Sequence, residues 1–160
     1  LMDGMGDGKF APDGKLTRGM LVTTLYRLAG EPEVTEPTTF QDVSEGRYFS
    51  DAIAWAEDVG IAKGITEKLF APDHAITREQ AVTLLCNYAE AQGLDVTGGS
   101  EDVLDGFADS GRISGWAKEA MIWAVSQKLL EGTGAGLEPQ AYGTRAQSAQ
   151  IILNFSLYVG

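Results

Sequence analysis

The chain repeats itself, and the repeat limits its architecture more than any single residue does. Phe10-Ala11-Pro12-Asp13 leads to Leu16-Thr17-Arg18, and Phe70-Ala71-Pro72-Asp73 leads to Ile76-Thr77-Arg78. A looser third copy, Leu137-Glu138-Pro139-Gln140, leads to Gly143-Thr144-Arg145. The three Arg residues lie 60 and 67 residues apart. A helix of ~15 residues is marginal alone, so the related apolar stripes are expected to pack together.

The middle copy is the most complete. After a Pro- and Thr-rich stretch, Phe40-Gln41-Asp42-Val43 opens it. Ser50 and Asp51 read as a helix start with Ser50 as cap, and Ala52, Ala56 and Val59 follow at helical spacing. Gly60 ends that first helix, and a loop holding Gly64, Phe70 and Pro72 follows. Thr77-Arg78-Glu79-Gln80 has the form of a capping box and predicts a second helix. Ala81, Leu84, Leu85 and Tyr88 form its apolar stripe, and Gly93 is its expected end.

The third copy follows the same plan. Phe107-Ala108-Asp109 matches Phe40-Gln41-Asp42, Trp116 to Gln127 matches Tyr48 to Val59, and Thr144-Arg145-Ala146-Gln147 repeats the box. Gly93 to Gly106 reads as a solvated linker. The first copy is half present. Its second helix carries Leu21, Leu25 and Leu28, but Gly19 and Met20 spoil its capping box. Its missing first helix is expected upstream or from a neighbouring molecule, which makes self-association through this copy one expected contact. The expected organisation is 1–36, 37–98 and 99–160, together one compact module. The fold class is mainly α, a pseudo-threefold assembly with a central bundle of second helices, projecting loops and shorter first helices.

Charge narrows the partners. The net charge of −11 argues against nucleic acid, whose phosphates demand Lys and Arg, and against an anionic membrane surface. No apolar run approaches the ~20 residues that membrane insertion requires. The lone Cys86 excludes an internal disulfide and reads as a buried, inert thiol. Asp3-Gly4-Met5-Gly6-Asp7-Gly8 imitates a calcium loop, but its twelfth position is Gly14, where a bidentate Glu is needed. His74 is the only His, so a zinc site or a His-dependent triad is not expected. No pair of acids recurs at a spacing that singles out a glycosidase. No metal or cofactor is expected, and no catalysis.

Phe40-Gln41-Asp42-Val43, Ala52-Ile53-Ala54-Trp55, Gly60-Ile61-Ala62-Lys63-Gly64, Phe70-Ala71-Pro72 and Ile76-Thr77-Arg78-Glu79-Gln80 together resemble the S-layer homology family. The resemblance covers nearly the whole chain. It implies an extracellular module at the bacterial cell surface, anchoring a larger protein non-covalently by binding secondary cell wall polysaccharide linked to peptidoglycan. The recognised group it implies is a pyruvate ketal on N-acetylmannosamine, which carries a carboxylate. It also implies that the Arg of each Thr-Arg motif, here Arg18, Arg78 and Arg145, lies at a groove between neighbouring repeats.

The residues support that position independently. An Arg at a helix start sits beside unpaired backbone N–H groups and the positive end of the dipole, and its guanidinium grips a carboxylate with two bonds. Arg78 is the principal candidate, and Arg78→Ala is expected to weaken binding with the fold intact. Trp116 and Tyr48 are candidates for a sugar-stacking face. Trp55 and Trp123 are also candidates, with a core role as the competing reading. Lys63 and Lys128 would add positive charge, and Asp42 and Asp109 would orient a sugar hydroxyl or, alternatively, hold a loop. The rival function is a structural or oligomerisation module binding another surface protein, with the Arg residues only stapling loops.

Overall fold

The computed structural model describes residues 14–160. Phe10 to Asp13 and most of the calcium-like stretch fall outside the described residues. Among those described, the chain is mainly helical: α1 (Arg18–Leu28), α2 (Ser50–Asp58), α3 (Arg78–Ala91), α4 (Lys118–Ser126) and α5 (Arg145–Val159). No strand forms among them. Strand-like pairing is confined to isolated bridges.

The long helices start where the Thr residues stand. Thr77 and Thr144 make reciprocal capping boxes with Gln80 and Gln147. Thr17 makes only half of one, accepting from the amide of Met20, because Met20 has no group to return the bond. Gly93 follows the end of α3 with φ +83°. The start of α2 differs from expectation. Ser50 is its first residue, not its cap, and its hydroxyl accepts from the amide of Arg47 and donates to the carbonyl of Ser44. The counterpart α4 is preceded by a 3-10 turn, Gly115–Ala117. The stretch read as a linker also holds a 3-10 turn, Glu101–Leu104, which buries Leu104.

Each short helix lies between two long ones. α2 packs on α1, and its Trp55 ring lies 5.5 Å from Tyr26 of α1 and 6.3 Å from Tyr88 of α3. α4 packs on α3, and its Trp123 ring lies 6.3 Å from Phe155 and 5.8 Å from Tyr158 of α5. Both Trp side chains are buried, so they belong to the core. The inner ends of the long helices meet around a void of about 10 Å³, lined in part by Leu16, Leu21, Leu85, Gly143, Ile151 and Ile152.

The junctions before these helices hold one another. Thr17 bridges to Ala75, Thr77 to Tyr142, and Thr144 to Lys15, so the three contacts close a ring.

Candidate functional site

Position fixes what each Arg does. The Nε of Arg18 donates to the carbonyl of Phe70 at 2.9 Å, and its Nη2 to the carbonyl of Lys63 at 2.9 Å. Arg78 repeats the pattern one copy on, with Leu137 at 2.9 Å and Glu131 at 3.0 Å. Burial pulls both guanidinium groups below their ordinary pKa. Asp42 opposes the shift at Arg18, and Glu138 and Asp109 oppose it at Arg78. Arg145 is buried too, and the loop that matches it in sequence lies among residues 1–13, outside the described residues.

The helix starts correct one expectation. At α1 the amides of Arg18 and Gly19 donate to the carbonyls of His74 and Pro72, and the amide of Met20 donates to Thr17. At α3 the amides of Arg78 and Glu79 donate to Ala141 and Pro139, and that of Gln80 to Thr77. The N–H groups expected to face an acid are therefore occupied by the next loop, and an anion must be met by side chains.

Asp42 and Asp109 hold these loops. The Asp42 carboxylate accepts from the amides of Phe70 and Ala71, and Asp109 from those of Leu137 and Glu138. Ala71 and Glu138 both sit in left-handed backbone, φ +60° and +51°. Without the carboxylates those turns would be unfavourable for side-chain-bearing residues. The amide of Leu137 holds the Asp109 carboxyl below the usual carboxylate range, although partial burial opposes it. Gly64 is obligatory in the same loop system, since a Cβ there would lie 2.6 Å from Cε1 of Phe40. Gly132 has the same relation to Phe107, at 2.5 Å.

Above Arg18 opens a cleft of about 580 Å³. Arg18 and Lys63 bring positive charge to it, Gln80, Thr83 and Asn87 line it from α3, and Trp116 stands at it with 61% of its surface exposed. Two of the five donor hydrogens of Arg18 are spent on carbonyls, which leaves others for a ligand. The Gln80 oxygen accepts from Thr77, so its amide hydrogens are available, and Asn87 spends its nitrogen on Ile61, leaving its oxygen. The structure thus gathers three of the residues singled out in sequence, Arg18, Lys63 and Trp116. Arg78, Arg145, Tyr48, Asp42 and Asp109 do not line this cleft. Tyr48 is exposed elsewhere, 4.9 Å from the ring of Phe49.

Gln80, Thr83 and Asn87 were missed by sequence reasoning. Their signal is a polar stripe at i, i+3 and i+7 beside the apolar one. Charge separates this cleft from a recess of about 280 Å³ beside Trp55, where Glu33, Glu36, Glu57 and Asp58 would repel an acid.

The S-layer homology domain model matches residues 1–19, 39–82 and 106–149. The chain belongs to the S-layer homology family. Its relatives include a surface-layer 125 kDa protein of Lysinibacillus sphaericus, 30% identical over 155 residues, covering 94% of this chain and 12% of that protein. The exoglucanase XynX of Acetivibrio thermocellus is 28% identical, covering 95% of this chain and 14% of the enzyme. A cellulosome-anchoring protein of the same organism is 25% identical, covering 94% of this chain and 34% of that protein. This S-layer homology chain therefore spans only a small part of each of them. The enzyme among them shares with it only a minor part of its length. No helix among the described residues is long and apolar enough to cross a membrane.

Proposed function

We propose that this S-layer homology chain anchors a larger exported protein to the bacterial cell wall by binding an acidic secondary cell wall polysaccharide. The observation that carries this reading is the cleft itself. It places a partly spent guanidinium, a Lys amine, two side-chain amides and an exposed indole around one space. A carboxylate-bearing sugar needs those groups: cations for the acid, short-range donors and acceptors for hydroxyls, and an aromatic face for the ring. The names of the surface-layer and anchoring relatives support a place at the cell surface. The module itself is non-catalytic in this reading, and any enzymatic activity belongs to other parts of the parent protein.

The repeats 1–36, 37–98 and 99–160 are arranged about a pseudo-threefold axis in this proposal. The ring of bridges and the matched loop contacts of Arg18 and Arg78 support it. Arg78 and Arg145 are then the equivalents of Arg18 in two further grooves.

Co-sedimentation with purified cell wall, before and after removal of pyruvate ketals, tests the function. Binding is expected to fall at least tenfold when the ketals are removed. Trp116→Ala should weaken binding similarly while leaving the melting temperature unchanged, because the ring is exposed. Equal sedimentation of all samples, or none, defeats the proposal. Salt is expected to weaken binding only in part, since one carboxylate per site offers few charges to screen.

One observation favours the structural reading. The hydrogen bonds of Arg18 and Arg78 to loop carbonyls give both a stapling role that needs no ligand. A chain that ignores cell wall yet captures a surface protein would establish it.

A further inference from the structure

The second residue after the capping Thr differs in each long helix: Gly19 in α1, Glu79 in α3 and Ala146 in α5. Gly19 and Ala146 show that the helix start itself needs no acid there. Yet Glu79 is only 3% exposed, and a carboxylate taken out of water is costly unless its oxygens are hydrogen-bonded. Glu79 meets that condition through three donors. One oxygen accepts from the amide of Ser114 at 3.0 Å. The other accepts from the Ser114 hydroxyl at 2.6 Å and from Nε2 of Gln140 at 3.3 Å. The same Gln140 nitrogen donates to the carbonyl of Arg112 at 2.6 Å, so residues 112–114 are held from two sides.

What Glu79 holds is the approach to the indole of the cleft. Ser114 stands immediately before the 3-10 turn Gly115–Ala117, which carries Trp116. Ser114 occupies the capping position of that turn, yet its hydroxyl makes no capping bond and is given to Glu79 instead. A single short turn that begins with Gly fixes its own direction weakly. On the α3 side, Gln80 and Thr83 follow Glu79 by one and four residues and line the cleft together with Trp116. The preceding copy is built differently. Register sets Phe49 against Ala117 and Gly46 against Ser114. On α1 the Phe49 ring packs at Gly19, where a Cβ would lie 2.9 Å from its Cδ2. On α3 the matching residue shrinks to Ala117, and a carboxylate stands at the position where α1 has Gly19. Gly46 has no hydroxyl to give, and Tyr48, the match for Trp116, rests 4.9 Å from the ring of Phe49. A packed ring in one copy is thus replaced by a polar clamp in the next, beside an indole that is exposed at the cleft.

We propose that Glu79 is a positioning residue for glycan binding: through Ser114 it holds the Trp116 indole at the cleft that Arg18 and Lys63 line. The inference rests on the reading of that cleft as the sugar site. Glu79 acts through Trp116 and not by contact with the sugar. An indole already held in place has less freedom to lose when a sugar ring stacks on it, which strengthens binding without any added contact.

The test is a double-mutant cycle in the whole chain, with a pyruvylated disaccharide as the probe. Glu79→Ala gives α3 the residue that α5 already carries at this position. It should weaken binding roughly fivefold, the size of an ordering cost for one side chain. In a Trp116→Ala background the same change should make no further difference. A second readout needs no sugar. The heteronuclear NOE of the Trp116 indole N–H, assigned by its loss in Trp116→Ala, should fall in Glu79→Ala as the ring gains fast motion. Glu79→Gln, which keeps one acceptor oxygen, should recover part of both effects. If Glu79→Ala melts too low to be studied, Ser114→Ala removes only the hydroxyl and should show the same pattern at smaller size. Equal losses with and without Trp116 overturn the proposal, as does an unchanged indole NOE. A parent chain that does not bind the disaccharide defeats the reading of the cleft as a sugar site, and the indole NOE then still decides whether Glu79 holds Trp116.

Discussion

The guanidinium groups of Arg18 and Arg78 each close a loop that lies some fifty residues further along the chain. Arg78→Ala would leave the buried carbonyl of Leu137 and the part-buried carbonyl of Glu131 without their partner. Hydrogen bonds to a charged group contribute about 1.5–3 kcal/mol, so a loss of that order is expected in urea unfolding. Arg78→Lys should recover little of it, because a single ammonium does not reproduce the planar fork. An unchanged unfolding midpoint for Arg78→Ala would refute this. Thr-Arg was legible in sequence, but which carbonyls receive the Arg is a matter of long-range packing. Asp42 and Asp109 teach the same lesson: their loop role was one of two open readings, and only the approach of residues 70–71 and 137–138 brings it into view.

Among elements, local chemistry was the reliable guide. Thr77 and Thr144, with a Gln three residues later, begin their helices as the pattern requires, and Thr17 shows the predicted defect. The starts of the short helices were less legible because contacts outside the helix set them, as with Ser50 reaching back to Ser44. Helix ends offer a direct check. α2 is followed by Gly60 at φ +77°, whereas α4 is followed by Lys128 at φ +59°, a conformation costly for a residue with a Cβ. Lys128→Gly is expected to stabilise the fold by about 1 kcal/mol, read as a higher melting temperature. A lower one would mean that Lys128 makes a contact worth more than its backbone strain.

For the whole molecule, acid is the informative perturbant. Burial pushes the Glu57 carboxyl up, but hydrogen bonds from Thr38 and Thr39 outweigh it and hold the group below its usual value. Asp109 is also lowered, chiefly by the amide of Leu137. A group with a lowered folded pKa binds its proton less readily folded than unfolded. Its stabilisation is complete above the unfolded pKa and drains away as pH falls through the folded one. Melting temperature is therefore expected to hold from pH 7 to about pH 5 and to decline below it. Asp109→Asn should melt lower at pH 7 and show a shallower decline; parallel curves would exclude Asp109 from the effect.

The ring of junctions gives the chain an unusual division of labour. The loop bearing Phe70 is completed by Arg18, and the loop bearing Leu137 by Arg78, so neither stretch contains everything required to shape itself. Severing the backbone between copies would not yield smaller working pieces. It would strand a loop on one fragment and its clasp on the other, and the smallest inheritable part of this design is the closed set.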